Sequence, residues 1–154
     1  MTEPIPEGYR GAMPYLAVDN AAEAIDFYTR AFGATERVRM SAPGGSIGHA
    51  ELQIGDAVIM LSDPFPQSST TPPPKLGGTS VSVMLYVEDV DAFVGRAVDT
   101  GATIVMPVAD QFWGDRFGSI TDPFGHNWSI ATHVEDVPPE EMAERAERAM
   151  AAMS

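Results

Sequence analysis

Cysteine is absent from the 154 residues, which removes disulfides, thiolate nucleophiles and thiolate metal ligands and makes a reducing, cytoplasmic setting the expectation. Basic side chains are scarce. Nine Lys and Arg stand against 22 Asp and Glu, a formal net charge of −13, so a polyanion is repelled over most of the surface and nucleic acid is not an expected partner. No apolar run approaches the roughly 20 residues that cross a bilayer. The first residues, MTEPIPEGYRG, have neither the basic start nor the apolar stretch of a secretory signal, so no membrane partner is expected either. Glycine-rich phosphate loops are missing too: GDRFG at 114–118 holds two isolated glycines, and these do not cradle a nucleotide. What remains is a chain with 44% hydrophobic residues and a length that suits one domain with a real core.

The chain repeats itself once at long range. Val18 and Val87 are 69 residues apart, Gly33 and Gly101 68, and the turn glycines Gly55 and Gly125 70. Each copy reads as strand, helix and three strands. In the first, 13–18 suits a strand; Asn20 caps a helix with Glu23 three residues on, and Ala21, Ile25, Tyr28 and Phe32 recur at helical spacing until Gly33 ends it. Strands are expected at about 35–41, 46–54 and 57–62. The second copy predicts a strand at 80–87, a helix at 89–99 carrying Val90, Phe93, Val94 and Ala97, and strands near 102–108, 116–121 and 126–132. The first module thus spans about 12–62 and the second 79–133, joined by DPFPQSSTTPPPKLGG (63–78), whose prolines and glycines read as a linker without an element of its own. A C-terminal helix is expected at about 138–152, with Met142, Ala146, Ala149, Met150 and Met153 roughly on one side as a packing arm for this chain or a partner.

The paired modules, AIDFYTRAFGA (24–34), HAELQIGD (49–56) and WGDRFGSITDPFGHNWSIATH (113–133) resemble the glyoxalase/bleomycin-resistance/dioxygenase, or vicinal oxygen chelate, superfamily, and within it the PhnB-like branch, over about residues 12–135. The resemblance implies an α+β fold: two βαβββ modules forming curved mixed sheets with outer helices, plus the C-terminal helix, with two modules enclosing a cavity. It also implies a homodimer. Metal enzymes of that superfamily hold Mn, Fe, Ni or Zn with His and Glu on the cavity face. Carried onto this sequence, those positions fall on Met13, on Ser82, on Ser129 and on Ile59 or Met60, and none is a good ligand for a divalent ion. No cofactor is therefore expected at the usual positions. His49 and Glu51, at i and i+2 on one strand face with Gln53, leave an atypical metal open as the alternative, set against a hydrogen-bonded polar strand face.

Strand alternation puts Met13, Tyr15 and Ala17 on one face of the first strand and Ser82, Met84 and Tyr86 on the corresponding face of the second module. Trp113, Arg116, Tyr15, Tyr86 and His49 are the candidate ligand-binding residues: the rings offer rigid contact area, and Arg116 can fork onto a carboxylate or phosphate unless it pairs with Asp115, Asp122 or an acid of the C-terminal helix. Asp122-Pro123-Phe124-Gly125 is a turn, which makes His126 a hydrogen-bonding anchor and His133 a surface or tail-docking residue, with a proton-transfer role open for both. Three functions compete. The first is a metal-independent protein that binds a small organic molecule. The second is a lyase, isomerase or dioxygenase using His49 and Glu51, and the third is an assembly protein.

Overall fold

The computed structural model describes residues 1–154. The first module runs β1 (Tyr15–Ala17), α1 (Ala21–Phe32), β2 (Thr35–Ser41), β3 (Ile47–Ile54) and β4 (Ala57–Ser62); the second runs β5 (Ser82–Tyr86), α3 (Val90–Thr100), β6 (Thr103–Asp110), β7 (Asp115–Thr121) and β8 (Asn127–His133). Between them lies a helical turn, α2 (Pro73–Leu76), and α4 (Pro139–Ala152) closes the chain. The two modules share one topology, with sheet orders β1-β4-β3-β2 and β5-β8-β7-β6, the first pair of each parallel and the others antiparallel. The fold is α+β, as the duplicated pattern predicts.

The two helices that cover the sheets, α1 and α3, form for the reasons legible in the sequence. Asn20 accepts from the Glu23 amide at 3.2 Å and Asp89 from the Ala92 amide at 3.0 Å, each satisfying an otherwise unpaired N-terminal donor. Ala21, Ile25, Tyr28 and Phe32 of α1 and Val90, Phe93, Val94 and Ala97 of α3 are all buried. Each helix covers one face of its own sheet, and the two then pack on each other: Phe32 stacks on Phe93 with centroids 5.0 Å apart and meets Trp128 edge-on at 4.8 Å. A single core cluster therefore runs through both modules, from Leu16, Ala50 and Leu61 to Ile120, Trp128 and Ile130.

The Asp122 carboxylate, 4% exposed, locks this contact. It accepts from the Tyr28 hydroxyl of the other module at 2.5 Å, from Trp128 Nε1 at 2.8 Å and from the amides of Phe124 and His126 at 2.9 and 3.0 Å. Burial first, and then the carboxylate, push the Tyr28 hydroxyl well above its ordinary pKa, so it stays a donor. His126 Nε2 lies 2.8 Å from the Ala17 carbonyl oxygen, a second bond between modules and the anchoring role expected of it.

One expectation needs correction. The linker carries an element: prolines are tolerated in a first helical turn, so Pro72, Pro73 and Pro74 initiate α2 rather than forbid it, and Pro73 packs against Gly125, where a Cβ would stand 2.9 Å from its side chain. The C-terminal helix forms as expected: Met142, Ala146 and Ala149 are half-buried along its inner side, while Met150 and Met153 are 67% and 87% exposed. The open faces of the two sheets do not close over a cavity within one chain, a point the sequence leaves open, because the modules meet through their helices and the sheets stay separate.

Candidate functional site

The face of each sheet that carries no helix is where the polar and aromatic candidates gather. Alternation along β5 puts Val83 and Leu85 against the core and leaves Ser82, Met84 and Tyr86 exposed. The parallel pairing sets Met84 beside Ser129 and Tyr86 beside Ala131, and the antiparallel pairing sets Ala131 beside Phe117 and His133 beside Asp115.

Asp115 organises this second-module face. Its carboxylate is 3% exposed and accepts from Tyr86 Oη at 2.7 Å, Trp113 Nε1 at 3.0 Å and His133 Nδ1 at 2.9 Å. Burial opposes its ionisation, but the donors from Tyr86, His133 and Trp113 outweigh it and hold the carboxyl below its usual range. One side chain thus fixes two aromatic rings by their polar atoms. Tyr86 remains 63% exposed, and Trp113 stands edge-on to Phe112 and Phe117 at 5.1 and 5.8 Å. His133 is held on its other nitrogen by Asp136 at 2.8 Å; Asp136 first and then Asp115 raise its pKa by accepting from the charged ring. Gly114 makes the crossing possible: its carbonyl accepts from the amides of Val134 and Glu135 at 2.9 and 3.0 Å, and a Cβ there would collide with the Glu135 carbonyl oxygen. Arg145 then ties α4 down through Glu135 and the Phe112 carbonyl, with Glu141 of the same helix bracing its guanidinium.

The first-module face carries a different arrangement. Glu51 Oε2 lies 2.8 Å from His49 Nε2, and His49 Nδ1 lies 2.8 Å from Tyr15 Oη. The Tyr9 hydroxyl, from the segment before β1, donates to the other oxygen of Glu51, and Arg37 sits 5.1 Å over the Tyr9 ring. The Tyr9 hydrogen bond, followed by that of His49, lowers the Glu51 pKa.

Arg116 belongs to neither face. It projects to the helix side of β7, where Asp91 of α3 takes Nε and Nη2 at 2.6 and 2.9 Å and Asp110 takes Nη1 at 3.1 Å. These are not the acids the sequence suggested, because Asp115 lies on the opposite face and Asp122 is consumed by the module lock. The structure brings Trp113 and Tyr86 together, and Tyr15 and His49 together. Sequence reasoning missed Asp115 and Tyr9, whose partners lie 29 and 42 residues away. Two clefts flank the junction of the modules. One of about 500 Å³ includes Met13, Met84, Tyr86 and Arg10; the other, of about 520 Å³ beneath the linker, includes Tyr15, Thr70, Pro73 and His126.

Residues 12–130 match the family described as Glyoxalase/Bleomycin resistance protein/Dioxygenase superfamily. The chain belongs to this superfamily. The protein Rv0887c of Mycobacterium tuberculosis is 47% identical over 132 residues, covering 84% of this chain and 78% of that protein. The crystal structure of TioX from Micromonospora sp. ML1 is similar with a TM-score of 0.62 at 30% identity, over 80% of this chain and 100% of that one. The PhnB protein of Bacillus cereus shares the fold, with a TM-score of 0.63 at 19% identity over 80% of this chain and 99% of that one.

Metal enzymes of the superfamily put His and Glu at positions that here do not fit a divalent ion. The strand pairing settles the alignment: Tyr15 lies beside Met60 as Met84 lies beside Ser129, so the first-module position is Met60, while Ile59 points into the core at 1% exposure. Met13 and Met60 offer thioethers, and the hydroxyls of Ser82 and Ser129 satisfy each other at 2.7 Å. No group of three or more His, Cys, Asp or Glu converges elsewhere in the chain, and His49 and Glu51 bond to each other.

Proposed function

We propose that the protein binds a small organic molecule between the open sheet faces of two copies of the chain, without a metal at the superfamily's usual position, in a cytoplasmic setting. The observation that carries this reading is the pair of rings on the second module: Asp115 ties Tyr86 and Trp113 in place by their polar atoms, so ring surface is presented already ordered and little rotamer entropy is lost on binding. A second copy supplies the opposite wall. Each chain leaves Tyr15, Met84, Tyr86, Val105 and Met106 exposed, and a two-fold pairing that sets the first module of one copy against the second module of the other covers these twice over in a closed dimer. The charge of −13 favours neutral or cationic ligands over anions.

A thermal-shift screen of planar neutral, cationic and anionic compounds, followed by calorimetry on the strongest, tests the reading. Tyr86→Ala and Trp113→Ala each weaken affinity at least several-fold, as loss of a buried aromatic contact removes about 1 kcal/mol or more. Arg116→Ala, on the helix side, leaves affinity unchanged. Denaturant melts of the same variants separate lost contact from lost fold, and unchanged affinity in folded Tyr86→Ala and Trp113→Ala contradicts the site. Elemental analysis after exposure to Mn, Ni, Zn and Fe and desalting is expected to find substoichiometric metal; full occupancy removed by Glu51→Ala favours the enzyme alternative with an atypical metal at His49 and Glu51.

A further inference from the structure

The chain has three histidines, and their surroundings differ in a way that matters for proton transfer. His126 spends Nε2 on the Ala17 carbonyl inside the module lock. His133 lies between two carboxylates, Asp115 and Asp136, so both its nitrogens face acceptors and neither offers a lone pair. His49 alone lies between a carboxylate and a phenol.

That order fixes the protons. A carboxylate only accepts, so His49 Nε2 carries the hydrogen directed at Glu51; Nδ1 of the neutral ring is then the acceptor, and the Tyr15 hydroxyl donates to it. The far end of the array is tied down by Tyr9 on Glu51 and by Arg37 over the Tyr9 ring. The near end is open: Tyr15 is 42% exposed on the helix-free face, and its oxygen keeps its lone pairs directed away from His49. Tyr86 on the second module makes the contrast. Its hydroxyl donates straight to the Asp115 carboxylate, which raises its pKa and leaves it a partner more weakly basic than imidazole to pass a proton to. Imidazole is the side chain whose ordinary proton affinity lies near neutrality, where a base is most effective.

We propose that Tyr15, His49 and Glu51 form a metal-free proton-transfer site acting on carbon acids, organic molecules with an acidic C–H on or next to a carbonyl or imine carbon, with Tyr15 as the catalytic residue. The Tyr15 oxygen takes the proton from carbon while its own proton passes to Nδ1 of His49; the C–H electron pair stays with the substrate as its conjugate base, and the imidazolium is held against the Glu51 carboxylate. The reverse transfer through Tyr15 returns the proton. His49 and Glu51 act through Tyr15 and do not touch the substrate. All three residues lie in one chain and on the first module, so the array is complete without the aromatic pair on the second, and its test needs no ligand for that pair.

The full chain and 5-nitrobenzisoxazole, a planar carbon-acid probe, test it. Loss of the C3 proton forms the nitrile as the N–O bond breaks, and the electron pair leaves as a coloured phenolate. Wild-type protein is expected to accelerate this above buffer, with Arg30→Ala on the exposed side of α1 unchanged. Tyr15→Phe and His49→Ala lower kcat on the order of a hundredfold with KM unchanged. Added imidazole restores His49→Ala and does not restore Tyr15→Phe, a response that a merely structural histidine does not give. Circular dichroism melts confirm that the variants are folded. A wild-type rate equal to buffer, folded variants as fast as wild type, or a folded His49→Ala that imidazole does not rescue overturns the proposal.

Discussion

Two buried carboxylates, Asp122 and Asp115, decide how the rest of the chain is used. Asp122 serves four donors, two of which, the Tyr28 hydroxyl and the Trp128 indole, belong to fully buried side chains. Asp122→Ala strands them, and each buried donor left without a partner costs about 1–3 kcal/mol, which a denaturant melt measures directly. Asp115 governs the exposed site, and through His133 it gives a pH dependence with a definite sign. His133 has a folded pKa raised by Asp136 and Asp115, so its contribution to holding the 133–136 segment is complete below the ordinary histidine value and is lost as pH rises through the raised one. An NMR titration of the His133 ring is expected to show this elevation, and Asp136→Asn to lower it; a midpoint at or below the ordinary value contradicts the pairing. Little of this was legible in the sequence. The aromatic candidates Tyr15, Tyr86 and Trp113 stand out by type and by strand alternation, but an acidic residue's meaning depends on which donors reach it. Asp115 reads the same as Asp110 or Asp99 until Tyr86 and His133 are folded onto it.

At the scale of elements, the helices were readable because their causes are local: a capping side chain, a four-residue apolar period and a terminal glycine. What those helices pack against is not local. Phe32 and Phe93 lie 61 residues apart in sequence yet stack at 5.0 Å. Phe32→Ala is expected to cost about 3–5 kcal/mol, the usual loss for a core aromatic, and to destabilise both modules in one transition. Calorimetry that resolves two separate transitions in the wild type contradicts a shared core. The C-terminal helix behaves oppositely. Its apolar side was legible, and Met142, Ala146 and Ala149 are half-buried on its own chain; Arg145 adds a tie to Glu135 and the Phe112 carbonyl, and Arg145→Ala is expected to leave the denaturant midpoint nearly unchanged, because exposed pairs contribute little. The linker helix escaped notice because proline, which breaks a helix interior, is at home in a first turn.

For the whole molecule, the recurrence at 68–70 residues disclosed the duplication before any coordinate did. It did not disclose that the two copies meet through their helices, since the same buried stripe serves a helix packed on its own sheet alone or on its neighbour as well. That one arrangement turns both site faces outward, where the rings on Asp115 and the Tyr15–His49–Glu51 array have no opposite wall in a single chain. A second copy is the simplest cover. Sedimentation equilibrium of the wild type and of Met84→Lys, which plants a charge in the middle of the exposed second-module face, is the most direct test. The wild type is expected at twice the 16.5 kDa chain mass and Met84→Lys at the single-chain mass with its fold intact. A wild type that remains at 16.5 kDa at micromolar concentration, or a Met84→Lys variant that pairs as firmly as the wild type, contradicts a ligand cavity built between two copies.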